Sequence, residues 1–233
     1  MENKYFHNNR KHVQQAFFVE QFLIPLIDKN ELIIIEEKGE RATLREVIIE
    51  NFPITDEFRP KSYILDLESN KPILGTINGT KTTEKALLLF TYDSLIVFLL
   101  EMKSTISNRV NNLSSIAQKL EDSIGRISMV LTAFIFDESF YENLAIQYVG
   151  LICFQQDAIR HKEHSLYDNL KEGKEDIFLD NALTGQREKV IIKFIKSADS
   201  TPSMTIDFDE IFPDETYNFQ AEFSELTLPD IRK

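Results

Sequence analysis

The chain has no apolar run near the length needed to cross a bilayer, and its N-terminus, MENKYFHNNRKH, lacks the apolar core of a signal peptide. A cytoplasmic location with no membrane partner is the expectation. Cysteine is all but missing. The one thiol, Cys153 inside YVGLICF, has no second cysteine to pair with and reads as a buried inert thiol, not a nucleophile. Positive charge is also short: 26 Lys and Arg stand against 38 Asp and Glu, a net charge of −12. A nucleic-acid binder ordinarily carries a basic footprint, so any such surface here must be local. No internal repeat, low-complexity tract or linker divides the sequence. Several catalytic signatures are absent as well. GTINGTKT, residues 75–82, is not a phosphate-binding loop, because Thr80 separates Gly79 from Lys81 and an apolar strand follows instead of a helix. His161 and His164 in RHKEH lack HEXXH spacing and a third ligand, and no Ser-His-Asp or Cys-His arrangement can be argued.

What remains is an ordinary globular composition, 42% apolar and 27% charged over 233 residues, enough to bury a sizeable core. A single domain over residues 1–233 is expected. Its acidity is uneven: residues 199–233 hold nine acidic and two basic residues, a net of −7, and the preceding 198 residues carry only −5. Phe208, Phe212, Tyr217, Phe219 and Phe223 punctuate that acidic segment, so part of it should pack on the domain, with SMTIDFDEIF as a strand, leaving its acidic face to repel nucleic acid or to dock a basic partner.

The chain reads as α/β. Helical spacing of apolar residues from about Asn9 to Ile27 predicts a first helix, bent or ended by Pro25. ELIIIEE and KSYILDLES predict strands, and REVIIENF is open between strand and helix. Two apolar strands, TEKALLLF and LIVFLLEMKST, flank a turn at TYDS. A helix begins near Ser107 and continues or breaks around Gly125; RISMVLTAFIF is a second helical stretch or a buried strand. YVGLICF and EKVIIKFIKS predict further strands, and DAIRHKEHSLYDNLKEG a partly helical segment.

The chemistry concentrates between Glu84 and Gln118. The second apolar strand is expected to end on Glu101-Met102-Lys103, where alternation puts Glu101 and Lys103 on one face. Glu84 opens the preceding strand, and the following helix carries Gln118. Carboxylates so placed suit a hard divalent cation, which polarises a phosphoryl oxygen and lowers the pKa of a bound water. A lysine beside the ion orients that water and stabilises developing negative charge. A bare E-x-K triplet is common, and its simplest reading is a surface ion pair worth little; the order of elements around it gives it weight. A carboxylate cluster without its metal repels itself, so loss of one member is expected to stabilise the metal-free protein.

Over roughly residues 83–153 this order resembles the PD-(D/E)XK nuclease superfamily, in which an acid opens a strand, a hairpin leads to a strand ending in (D/E)-x-K, a helix carries a Gln or Lys facing the site, and an apolar strand follows. The resemblance implies a restriction-endonuclease-like fold, a mixed central β-sheet flanked by helices. It implies a metal-dependent nuclease hydrolysing phosphodiester bonds, with Mg²⁺ or Mn²⁺ as cofactor and nucleic acid, DNA rather than RNA, as partner, in defence, restriction or repair. Glu84, Glu101 and the Met102 backbone carbonyl would hold the metal. Lys103 and Gln118 would complete the catalytic set, and Glu20 on the first helix could contribute. The sequence departs from the pattern: no proline precedes Glu84, and the first acid is Glu in place of Asp. Asp93 in TYDS is the other candidate for the first acid. Lys81, Lys85, Lys103, Arg109, Lys119 and Arg126 could form a local basic rim. The competing reading is a non-catalytic protein of this fold that acts as an interaction subunit, with a protein partner or as a homo-oligomer.

Overall fold

The computed structural model describes residues 23–25, 32–52, 62–67, 81–90, 94–107, 110–131, 145–158, 176–181, 184–198 and 201–212. They form ten strands and two helices: β1 (Leu23–Pro25), β2 (Ile33–Glu36), β3 (Glu46–Glu50), β4 (Ser62–Asp66), β5 (Lys85–Phe90), β6 (Ser94–Ser107), α1 (Val110–Val130), β7 (Ala145–Ala158), β8 (Asp176–Asp180), β9 (Arg187–Lys196), β10 (Ser203–Asp207) and α2 (Phe208–Ile211). A seven-stranded sheet runs in the order β1-β4-β5-β6-β7-β9-β8, and a three-stranded sheet in the order β10-β3-β2.

The large sheet is mixed. β4, β5 and β6 are successive antiparallel neighbours. β6 and β7 then pair in parallel, with α1 in the connection between them, as parallel strands require a crossover. β9 adds in parallel to β7, and β8 closes that edge antiparallel to β9. KALLLF and LIVFLL are continuously apolar because β5 and β6 are buried on both faces. On one face Ala86, Leu88, Leu95, Val97 and Leu99 meet Ile116, Leu120, Ile124 and Ile127 of α1. On the other, Leu87, Leu89, Ile96, Phe98 and Leu100 meet Val47, Ile49, Met204 and Ile206 of the small sheet. Among the described residues the layers are therefore helix, sheet, sheet. Gly150 on β7 lets α1 approach: a Cβ there would stand 3.4 Å from Leu120 Cδ2.

The acidic C-terminal segment is partly built in. β10 pairs in parallel with β3 from Ser203↔Glu46 to Asp207↔Glu50. The Asp207 carboxylate then accepts the Asp209 N–H and caps α2. Phe208 and Phe212 both meet Phe98 edge-on, with ring centroids 5.1 and 5.4 Å from it, and Phe52 completes the cluster.

Several expectations need correction. Among the described residues one long helix covers one face of the central sheet, and a three-stranded sheet that was not expected covers the other. Leu23–Pro25 is a strand paired with β4, not the end of a helix. REVIIENF is resolved as β3, and the DIFLD strand, β8, was not foreseen. α1 runs through Gly125 to Val130 without a break, because its apolar stripe continues from Ile124 to Ile127. SMTIDFDEIF is strand only to Asp207, where the cap turns the chain into α2. The E-x-K triplet does not end its strand: apolar character stops near Met102, yet pairing with β7 carries β6 on to Ser107↔Ala158. Glu20 and the rest of the expected first helix apart from Leu23–Pro25, Asp93, His161, His164 and the segment after Phe212 lie outside the described residues.

Candidate active site

The site lies where β5 begins beside the middle of β6. The β5–β6 register sets Lys85 opposite Leu100, which puts Glu84 opposite Glu101 one step further along. Glu84 N–H donates to the Leu100 carbonyl at 3.1 Å, the last backbone bond of that ladder. The Glu84 side chain takes over from there: its Oε2 accepts the Met102 N–H at 2.9 Å. From Glu101 onward β6 has β7 alone as a ladder partner, and the Glu84 carboxylate fills the first place that β5 has left. In an extended strand the N–H and C=O of one residue point to the same side, so the Met102 carbonyl also faces the β5 side.

Alternation fixes the direction of the charged side chains. Glu84 follows the phase of Ala86 and Leu88, and Glu101 and Lys103 that of Val97 and Leu99, so all three face α1. The two carboxylates are buried, at 2% and 0% exposure, beneath the helix. The Lys103 ammonium pairs with Glu101 Oε1. The helix supplies Lys119, whose Nζ lies 2.8 Å from Glu101 Oε1, 3.0 Å from Glu101 Oε2 and 3.6 Å from Glu84 Oε1. Glu84 Oε1 is buried and accepts no hydrogen bond, with Lys119 as its nearest cation. With both carboxylates ionised, the two lysines balance them and the cluster is neutral.

Burial first, and the neighbouring Glu101 charge second, push Glu84 up to about 9; Lys119 and the two backbone amides oppose this without cancelling it. Glu84 is therefore protonated at neutral pH when no further cation is present. Because Oε2 accepts the Met102 N–H, Oε1 is the oxygen left to carry the proton. Burial likewise raises the Cys153 thiol well above its ordinary range, with the Glu84 and Glu101 charges adding to it, so Cys153 is inert.

A network of polar contacts holds the approach to Glu84. Asp122 Oδ2 accepts the Lys81 N–H at 3.1 Å, and Ser123 Oγ accepts the Thr83 N–H at 2.9 Å. Thr82 Oγ1 and the Arg126 guanidinium both donate to the Leu67 carbonyl. The segment 81–83 is thus tied to α1 and to the end of β4, which fixes the entry of the chain into β5.

Of the residues singled out from the sequence, Glu84, Glu101 and Lys103 come together. Gln118 does not join them: it is exposed and donates to Asp122 Oδ1 at 3.1 Å. The helix residue that reaches the carboxylates is its neighbour Lys119, which the sequence suggested only as part of a basic rim. Helical phase carries the signal that separates the two. Counting from Ile116 at 100° per residue, Lys119 lies about 60° from that buried stripe and Gln118 about 160°. Lys85, another member of the expected rim, pairs with Asp66 at 2.9 Å. Arg126, also in that rim, is buried against the Leu67 carbonyl. Arg109 lies outside the described residues.

The donor set fits a hard divalent cation in part. Two buried carboxylates converge, Glu84 Oε1 accepts no hydrogen bond, and the Met102 carbonyl faces the β5 side from which Glu84 comes, which are the oxygen ligands such an ion takes. Among the described residues no third Asp, Glu, His or Cys joins the pair. No helix among them is long and apolar enough to cross a membrane. No protein-family model, curated protein or solved structure matches the chain.

Proposed function

We propose that the chain is a metal-dependent phosphodiesterase acting on nucleic acid, with a restriction-endonuclease-like core of β4, β5, β6, α1 and β7. The observation that carries the reading is the convergence of Glu84, Glu101, Lys103 and Lys119 from two strands and a helix. Support also comes from the order of these elements: acid, strand, hairpin, E-x-K strand, helix with a site-facing lysine, then a parallel strand. Glu84, Glu101 and the Met102 carbonyl would hold Mg²⁺ or Mn²⁺, which supplies Lewis-acid polarisation of the phosphoryl oxygen and a bound water of lowered pKa. Lys103, with its side chain 23% exposed, reaches from the buried carboxylates toward solvent, where its ammonium can meet the anionic phosphate and the attacking water. Hydrogen bonds from the Lys81 and Thr83 N–H groups to Asp122 and Ser123 of α1 hold Glu84 in place while that charge develops.

A second reading is a non-catalytic protein of this fold acting as an interaction subunit. The position of Lys119 favours it: its ammonium stands between the two carboxylates and, together with Lys103, balances their charge with no metal. The net charge of −12 also favours it. The two readings part on an assay of mixed single- and double-stranded DNA and RNA with Mg²⁺ or Mn²⁺. Cation-dependent cleavage that is lost in Glu101→Ala supports the enzyme. Absence of cleavage on every substrate, or cleavage by Glu101→Ala at the wild-type rate, removes this site from catalysis.

A further inference from the structure

Lys119 occupies a singular place. Its Nζ touches both oxygens of Glu101, at 2.8 and 3.0 Å, and stands 3.6 Å from the unbonded Oε1 of Glu84. These are the oxygens that a shared cation would use. A divalent ion entering beside Lys103 and an unmoved Lys119 would meet two positive charges at a cluster that is neutral with Glu84 ionised and positive with it protonated, within a low-dielectric floor where like charges repel strongly. Lysine is suited to leaving: a compact charge on a four-carbon stem, here 15% exposed and so in reach of solvent.

We propose that Lys119 is a built-in counter-cation that competes with the divalent ion for Glu84 and Glu101, so that the site has two exclusive states, one closed by the ammonium and one loaded with metal. Lys119 thereby sets the concentration of divalent cation at which the site loads. This rests on the metal reading of the site given above. It assigns Lys119 a role in cation affinity, distinct from any contact with substrate. Lys103 cannot take that role: among the described residues it pairs with Glu101 and not with Glu84, whereas Lys119 spans both acids.

The test is Mn²⁺ binding to the full chain by calorimetry, with the Mn²⁺-induced rise in Tm as a second readout that needs no substrate. Lys119→Met removes the charge and keeps the bulk, Lys119→Gln keeps a hydrogen-bonding head without charge, and Lys119→Arg keeps the charge. The neutral variants should bind Mn²⁺ more tightly than wild type by about tenfold or more, and Lys119→Arg should stay close to wild type. The neutral variants should also melt lower without metal and gain more Tm from it. Lys119→Gln carries the test should Lys119→Met not fold. Equal Mn²⁺ affinity in wild type and both neutral variants overturns competition while leaving a two-carboxylate metal site standing. Absence of Mn²⁺ binding in all of them overturns both this inference and the metal reading beneath it.

Discussion

Replacing Glu84 by glutamine should flatten the fall of stability with pH. Glu84 is raised from 4.5 to about 9 in the folded chain, chiefly by burial and then by the Glu101 charge. Between those values the folded state keeps a proton that the unfolded chain has released. Stability from this group is therefore fully present below 4.5 and is lost as pH climbs toward 9. The limiting slope is about 1.4 kcal/mol per pH unit, so from pH 5 to 8 the wild type can lose about 4 kcal/mol through this one carboxyl. In a chain of this size each kcal/mol moves Tm by about 2–4 °C. Glu84→Gln keeps the shape and the acceptor for the Met102 N–H but has no proton to lose. Melts of both proteins in chelator from pH 5 to 9 should diverge steadily, the variant gaining on the wild type as pH rises. A difference in Tm that stays constant across that range would refute the burial argument for Glu84.

Three further variants distinguish roles within the cluster. Glu101→Ala strips two ammonium groups of their buried counter-charge, so it should destabilise the metal-free protein by about 3 kcal/mol in urea titrations, contrary to the sequence expectation of relieved repulsion. Lys103→Ala should lower cation-dependent cleavage by about 10²- to 10³-fold. It should change stability by less than about 1 kcal/mol in the same titrations, because Lys119 still neutralises Glu101. Gln118→Ala should cleave at close to the wild-type rate under single-turnover conditions, since its amide serves Asp122 and not the carboxylates.

The parts of the fold legible in the sequence were those dictated by burial on both faces or one. KALLLF and LIVFLL could only be central strands, and their alternation already aimed Glu101 and Lys103 to one side. The second sheet was not legible, because IIIE, EVIIE and SMTID each show only a half-buried face, and nothing local says which surface they cover. The length of β6 was hidden too, since hydrogen bonds to β7 carry KSTIS as strand after its hydrophobicity has ended. Lys119 was missed through its helix phase. Gln118 matches the residue type expected from the family resemblance, but the stripe of Ile116, Leu120, Ser123 and Ile127 turns Lys119, and not Gln118, toward the sheet.

Whether Glu84 and Glu101 together take a divalent cation is read most directly from anomalous diffraction of crystals grown with saturating Mn²⁺. The expected result is a manganese peak in contact with Glu84 Oε1 and a Glu101 oxygen, with Lys119 Nζ withdrawn from both. Crystals under the same conditions with no peak there, and with Lys119 Nζ still bridging the two carboxylates, would contradict the metal-dependent reading of this site.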